Sequence, residues 1–189
     1  MVGAYLLGSI SSAIVTARAM HLPDPRTAGS GNPGATNVLR MGGKKAGILT
    51  LCGDFFKGFL PVMLARMLHA PDLTLALIAL AAFLGHLYPL YFHFKGGKGI
   101  ATGAGVLWGM SYSLGGVVML TWGLVFAIWR YSSLAALVAV LVGVALAAWL
   151  LPTDQALTCL IIGILTYWRH RHNIARLLKG TESKMLSKR

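Results

Sequence analysis

The chain has 189 residues, of which 56% are hydrophobic and only 12% charged. Soluble domains carry about 25% charged residues, so this composition excludes an ordinary soluble fold, a disordered chain and a lone anchor on a soluble domain. The formal net charge of +12 comes from 17 Lys and Arg against 5 Asp and Glu; on so apolar a chain it marks cytoplasmic links and anionic partners at a lipid bilayer, with no nucleic acid implied.

A spanning helix needs about 20 mostly apolar residues. Seven apolar segments follow one another, at 1–19, 46–69, 73–92, 100–113, 115–129, 133–151 and 155–168. The first ends in Ala17-Arg18-Ala19, which has the look of a leader cleavage site, but the positive charge follows the apolar run instead of preceding it, so it reads as an uncleaved helix. Gly115-Gly116 supplies the break between the fourth and fifth segments, and Ala70-Pro71-Asp72 and Pro152-Thr153-Asp154 form short polar turns. The expected fold is all-α: a polytopic membrane protein of seven transmembrane helices, forming one domain over 1–189.

Charge sets the orientation. The links after segments 1, 3 and 5 hold Arg26, Arg40, Lys44 and Lys45, then Lys95 and Lys98, then Arg130; the tail 169–189 holds Arg169, Arg171, Arg176, Lys179, Lys184, Lys188 and Arg189. The intervening links carry no Lys or Arg, Arg66 near the end of segment 2 being the mild exception. Cytoplasmic loops carry the excess of Lys and Arg, which puts the N-terminus outside and the C-terminus in the cytoplasm. The basic tail is expected on the inner membrane surface.

Four polar constellations stand out, three of them on the cytoplasmic side. The first is Gly29-Ser30-Gly31-Asn32-Pro33-Gly34-Ala35-Thr36-Asn37, followed by Arg40. Glycines allow successive backbone N–H groups to converge on an anion. Ser30, Asn32, Thr36 and Asn37 add neutral donors, and Arg40 adds a planar charged fork. The second is Lys95-Gly96-Gly97-Lys98-Gly99, leading into a helix whose N-terminus favours an anion. Third, Asp54 and Lys57 share a helix face inside segment 2 and read as a structural ion pair. Fourth, in Arg169-His170-Arg171-His172-Asn173 a helix would align His170 with Asn173, giving an acid, base or phosphate donor near neutral pH. Ser133 is a weaker polar candidate; His86 and Tyr88 read as packing or interfacial residues.

Several chemistries have no residues to carry them. There is no His-x4-Asp pair, no Gly-x-Ser-x-Gly elbow and no carboxylate cluster for a metal. Cys52 and Cys159 lie in apolar runs without a neighbouring base. An acyl-enzyme or a metal-assisted reaction is therefore poorly supported, and what remains is a cytoplasmic-facing set of phosphate binders on a membrane bundle. Small organic-phosphate transport is the alternative, since it also accounts for basic cytoplasmic sites and for Asp54 and Lys57 inside the membrane.

In their order, Ser30 through Arg40, Gly43-Lys44-Lys45-Ala46-Gly47, Asp54-x-x-Lys57-Gly58, Gly85-His86 and Lys95 through Gly99 resemble the acyl-phosphate-dependent glycerol-3-phosphate acyltransferases, the PlsY family. The resemblance implies a multi-pass enzyme of the bacterial inner membrane with its active site facing the cytoplasm. It would move a fatty acyl group from acyl phosphate to the sn-1 hydroxyl of glycerol 3-phosphate, giving lysophosphatidic acid and phosphate in phospholipid synthesis, without metal or cofactor. It further implies that Ser30, Gly31, Asn32, Gly34, Ala35, Thr36 and Asn37 form the phosphate loop, with Arg40, Lys98 and Ser133 binding substrate and His170, Asn173 and Lys98 catalytic. His170 and the acceptor's own phosphate are both open as the proton acceptor.

Overall fold

A computed structural model describes residues 1–185, and every regular element among them is helical. The helices are α1 (Val2–Gly8), α2 (Ser12–Ala19), α3 (Ala35–Met67), α4 (Asp72–Leu87), α5 (Ile100–Met110), α6 (Tyr112–Trp129), α7 (Ser132–Leu150), α8 (Thr153–Arg169) and α9 (Arg171–Leu178). Four are long and apolar enough to cross a membrane: α3, α4 with its following turn to Phe92, α6 and α7; the bent pair α1–α2 makes a fifth.

The boundaries depart from the sequence expectations at four places, each with a local cause. Segment 1–19 is broken at Ser9–Ser11, where α1 and α2 meet at 43°. The bend frees the Ile10 carbonyl, which accepts a hydrogen bond from Lys57 Nζ at 2.8 Å. Second, α3 begins at Ala35 instead of near Ala46, and Gly43 (φ 77°) kinks it, separating an initial stretch of about two turns from the membrane-crossing stretch. Third, the break within 100–129 falls at Ser111, whose extended backbone ends α5 and whose Oγ accepts from Leu114 N–H at 3.4 Å. Gly115 and Gly116 lie inside α6, and a Cβ at Gly115 would sit 2.6 Å from Trp108 Cα, so that glycine serves helix packing, not a turn. Fourth, α4 stops at Leu87, before Tyr88-Pro89, because the residue ahead of a proline is pushed out of the helical region.

The polarity is that of a bundle in lipid. Phe83, Leu87, Val62, Val106 and Leu114 fill the interior, while Leu120, Leu124, Ile128, Trp149 and Ile164 point outward, exposed. α5 has only 11 residues, about 16 Å at about 1.5 Å per residue. It is enclosed by α3, α4, α6 and α8. Against α3 the backbones touch: a Cβ at Gly58 would collide with the Thr102 carbonyl, and one at Gly105 with the Phe55 carbonyl. These two helices carry the two glycine loops at their N-terminal ends.

The tail is not a featureless basic segment. After α9 the chain turns back, so that Met185 N–H donates to the Arg130 carbonyl at 2.9 Å and Arg40 Nη2 to the Ser183 carbonyl at 3.4 Å. Lys188 and Arg189 lie outside the described residues.

Candidate active site

The first glycine loop is shaped by Asn37. Its Oδ1 accepts from Ser30 N–H at 2.9 Å, and its Nδ2 donates to the Pro25 and Ala28 carbonyls, both at 3.0 Å. Both ends of the buried Asn37 amide are thereby engaged within the loop, so Asn37 organises it and has no donor left for a ligand. Gly29 (φ 63°) and Gly31 (φ 70°) hold left-handed backbone; a Cβ at Gly29 would also strike Asn37 Oδ1. Gly34 is different. It is the N-cap of α3 in ordinary extended conformation, and a Cβ there would meet only the Asn32 side chain, at 2.9 Å. The helix it starts has no acidic residue in its first turn. Ala35 opens that turn, and Thr36 Oγ1 shares a 3.2 Å hydrogen bond with Ser132 Oγ, tying the loop to the start of α7. Ser30 and Arg40 are exposed beside it.

The second loop touches the first, since a Cβ at Gly97 would lie 2.9 Å from the Pro33 carbonyl. Lys98 Nζ donates to Asn173 Oδ1 on α9. Asn173 Nδ2 in turn donates to Glu182 Oε1 at 2.6 Å, as does Ser133 Oγ, also at 2.6 Å, while Arg176 Nε pairs with Glu182 Oε2 at 2.6 Å. The expected residues Lys98, Ser133 and Asn173 therefore meet, around a carboxylate the sequence reading did not single out. Burial pushes the Lys98 ammonium down to about 8, with Glu182 opposing and Arg176, Arg169 and Arg40 assisting. For Glu182, burial pushes its pKa up, but the hydrogen bonds from Ser133, Asn173 and Arg176 outweigh it and hold the acid below the usual carboxylate range.

His170 caps α8 and is buried. Its Nδ1 lies 2.8 Å from the Thr166 carbonyl; a carbonyl only accepts, so the proton sits on Nδ1 and Nε2 keeps its lone pair. Burial lowers the ring pKa to about 4, more than the Thr166 contact and Glu182 restore, so the imidazole is neutral at pH 7.

Asp54 and Lys57 stand apart from this cluster. Buried in α3, they pair at 2.8 Å. His86 Nδ1 lies 3.6 Å from Asp54 Oδ1, so this histidine, expected to be packing or interfacial, belongs to a buried charged group. Its ring also underlies the second glycine loop, where a Cβ on Gly97 would collide with Nε2.

A sequence profile described as glycerol-3-phosphate acyltransferase matches residues 1–180. A curated glycerol-3-phosphate acyltransferase of Burkholderia lata is 53% identical across 98% of this chain and 89% of its own. One from Coxiella burnetii is 50% identical across 96% and 94%. Among solved structures, PlsY (YgiH), an integral membrane glycerol 3-phosphate acyltransferase, superposes with TM-score 0.92 in its glycerol 3-phosphate form, at 42% identity over 97% of this chain and 92% of that one. Its lysophosphatidic acid form gives 0.88 at 41% identity, with the same coverage. With the profile match running through both glycine loops to the end of α9, the chain belongs to the glycerol-3-phosphate acyltransferase family, represented among solved structures by PlsY.

Proposed function

We propose that the chain transfers a fatty acyl group from acyl phosphate to the sn-1 hydroxyl of glycerol 3-phosphate, releasing lysophosphatidic acid and inorganic phosphate. The observation that carries this reading is the junction of two glycine loops with Lys98, Asn173 and Ser133 at one end of the bundle. Two phosphate-bearing substrates need two anion sites close together, and family membership favours acyl transfer over organic-phosphate transport.

Ser30, Gly31, Asn32, Ala35 and Thr36 form the wall of one phosphate site at the start of α3, with Arg40 beside it; Asn37 shapes that wall, and Gly34 caps the helix. Lys98 and the amides of its loop form the other. The hydroxyl oxygen attacks the acyl carbon, the bond from that carbon to the phosphate oxygen breaks, and the phosphate leaves with the electron pair. Acyl phosphate is an activated anhydride, so orientation and charge stabilisation suffice. A ring with a pKa of about 4 is a weak proton acceptor; a phosphate, with its second pKa near about 6, is a better one. The sn-1 hydroxyl proton thus goes to substrate phosphate, while His170 Nε2 accepts from the neighbouring sn-2 hydroxyl to orient the acceptor and Asn173 holds Lys98.

The whole chain acts as one domain in the bacterial inner membrane, with N-terminus outside, C-terminus inside and active site toward the cytoplasm. The pair α1–α2 and helices α3 to α8 make the seven crossings. The alternation of basic links supports this orientation. α5 need not match the bilayer, since helices and not lipid surround it.

The test is purified protein with synthetic acyl phosphate and labelled glycerol 3-phosphate. Equal amounts of lysophosphatidic acid and phosphate support the reading; no product from acyl phosphate overturns it. Cysteines placed at 30 and 96 should react with impermeant reagent only from the cytoplasmic side, and outside-only labelling would sink the orientation.

A further inference from the structure

Between Lys95 and Lys98 the second glycine loop has no side chain to fix its shape, yet it is held from two sides. At the end of α8, Arg169 Nε donates to the Gly97 carbonyl at 3.0 Å and Nη2 to the Gly96 carbonyl at 2.5 Å. Opposite, α4 presents His86, whose carbonyl leaves no room for a Cβ on Gly96 and whose ring leaves none on Gly97. Arg169 also lies over the Tyr88 ring, 5.9 Å from its centroid.

A trans peptide unit is planar, with its C=O and N–H pointing in opposite directions. The Gly96 carbonyl shares a unit with Gly97 N–H, and the Gly97 carbonyl with Lys98 N–H. Holding both carbonyls on Arg169 therefore turns both N–H groups away from it. Neither N–H has a backbone or side-chain acceptor among the described residues. A pair of oriented, unsatisfied amides next to an ammonium is an anion site. We infer that Arg169 is a positioning residue: its guanidinium fixes the two peptide planes of this loop so that the Gly97 and Lys98 amides face the bound phosphate, and it does not itself hold substrate. This rests on reading the loop as an anion site in the proposed reaction.

The experiment compares wild type, Arg169→Gln, Arg169→Lys, Lys98→Ala and the double variant Arg169→Gln/Lys98→Ala. Wild-type turnover of acyl phosphate and glycerol 3-phosphate tests the reaction itself. Independently of turnover, hydrogen exchange of the 93–100 segment with inorganic phosphate tests the loop: phosphate should slow exchange in wild type and not in Arg169→Gln. Kinetically, Arg169→Gln should raise KM by about tenfold or more for the same phosphate substrate that Lys98→Ala affects, with kcat held within about threefold. Arg169→Lys should not restore it, since one ammonium cannot span two carbonyls as the fork does. The double variant should be scarcely worse than the poorer single one, because both act through one loop. Multiplying effects, or phosphate protection that survives in Arg169→Gln and Arg169→Lys, overturns the inference. Either variant suffices for the exchange measurement if the other does not purify.

Discussion

Ser133 Oγ donates to Glu182 Oε1 at 2.6 Å, across 49 residues of sequence. That one oxygen also takes Asn173, and its partner oxygen takes Arg176, so the returning tail fastens α7 and α9 together beside Lys98.

Replacing Glu182 therefore acts on several groups at once. Glu182→Ala should lower the initial rate by about tenfold or more, since it strands a hydroxyl, an amide and a guanidinium that were paired. Glu182→Gln keeps the shape and one acceptor and should lose less. Rates at saturating substrates, read beside thermal stability in detergent, check this. If the tail instead plugs the site, Glu182→Ala will be faster than wild type, which would refute the fastening role.

Lys98 sets an alkaline limit. Its ammonium, lowered by burial to about 8, is charged at pH 7 and loses its proton as pH rises through about 8. A phosphate monoester is already dianionic there, so the change in binding comes from the protein. KM for the substrate that Lys98 holds should rise above pH 8 by up to about tenfold per unit. Lys98→Ala should start high and show no such rise; a persisting slope would assign the titration elsewhere.

The first loop distinguishes among its glycines. Gly29→Ala should cost far more activity than Gly34→Ala: the former forces a left-handed residue and dislodges Asn37, while the latter needs only the Asn32 side chain to move. Ser30→Ala removes one exposed hydroxyl and keeps the amide that Asn37 anchors, a loss of about tenfold at most. A dead Ser30→Ala at normal abundance, with active glycine variants, would point to a serine nucleophile.

In α3 the charged pair carries stability. Lys57→Met should sharply reduce folded protein, because it leaves Asp54 buried without its 2.8 Å partner and the Ile10 carbonyl without a donor; breaking such a pair costs about 3–5 kcal/mol. Asp54→Leu combined with Lys57→Met should recover part of the loss. Thermal unfolding in detergent decides, and a harmless Lys57→Met would remove the pair's structural role.

Much of the site was legible because glycine clusters, charge and span length are local signals. His170 and Asn173 could be aligned from their i, i+3 spacing, whereas Lys98 joined them only through the family resemblance. Glu182 could not: the one acid in the tail 169–189 has no partner nearby in sequence except Arg176, and only the fold brings Ser133 and Asn173 to it. That isolation, a single carboxylate in a strongly basic segment, was the available clue. Arg169 was read as part of a basic cluster because its partners are carbonyls, which leave no trace in residue types. The Ser111 break was hidden by Gly115-Gly116, since glycine marks turns and close helix contacts alike. Asn37 looked like a ligand donor because residue type does not tell whether an amide bonds to substrate or to its own loop.

The backbone contact of α3 with α5 at Gly58 and Gly105 has a bearing on substrate choice. Each helix begins where one glycine loop ends, so on the proposed reading these contacts help set the spacing of the two anion sites through backbone instead of side chains. An acceptor with its hydroxyl one carbon further from its phosphate should then turn over more slowly than glycerol 3-phosphate, and a bulkier residue at Gly58 or Gly105 should weaken that preference.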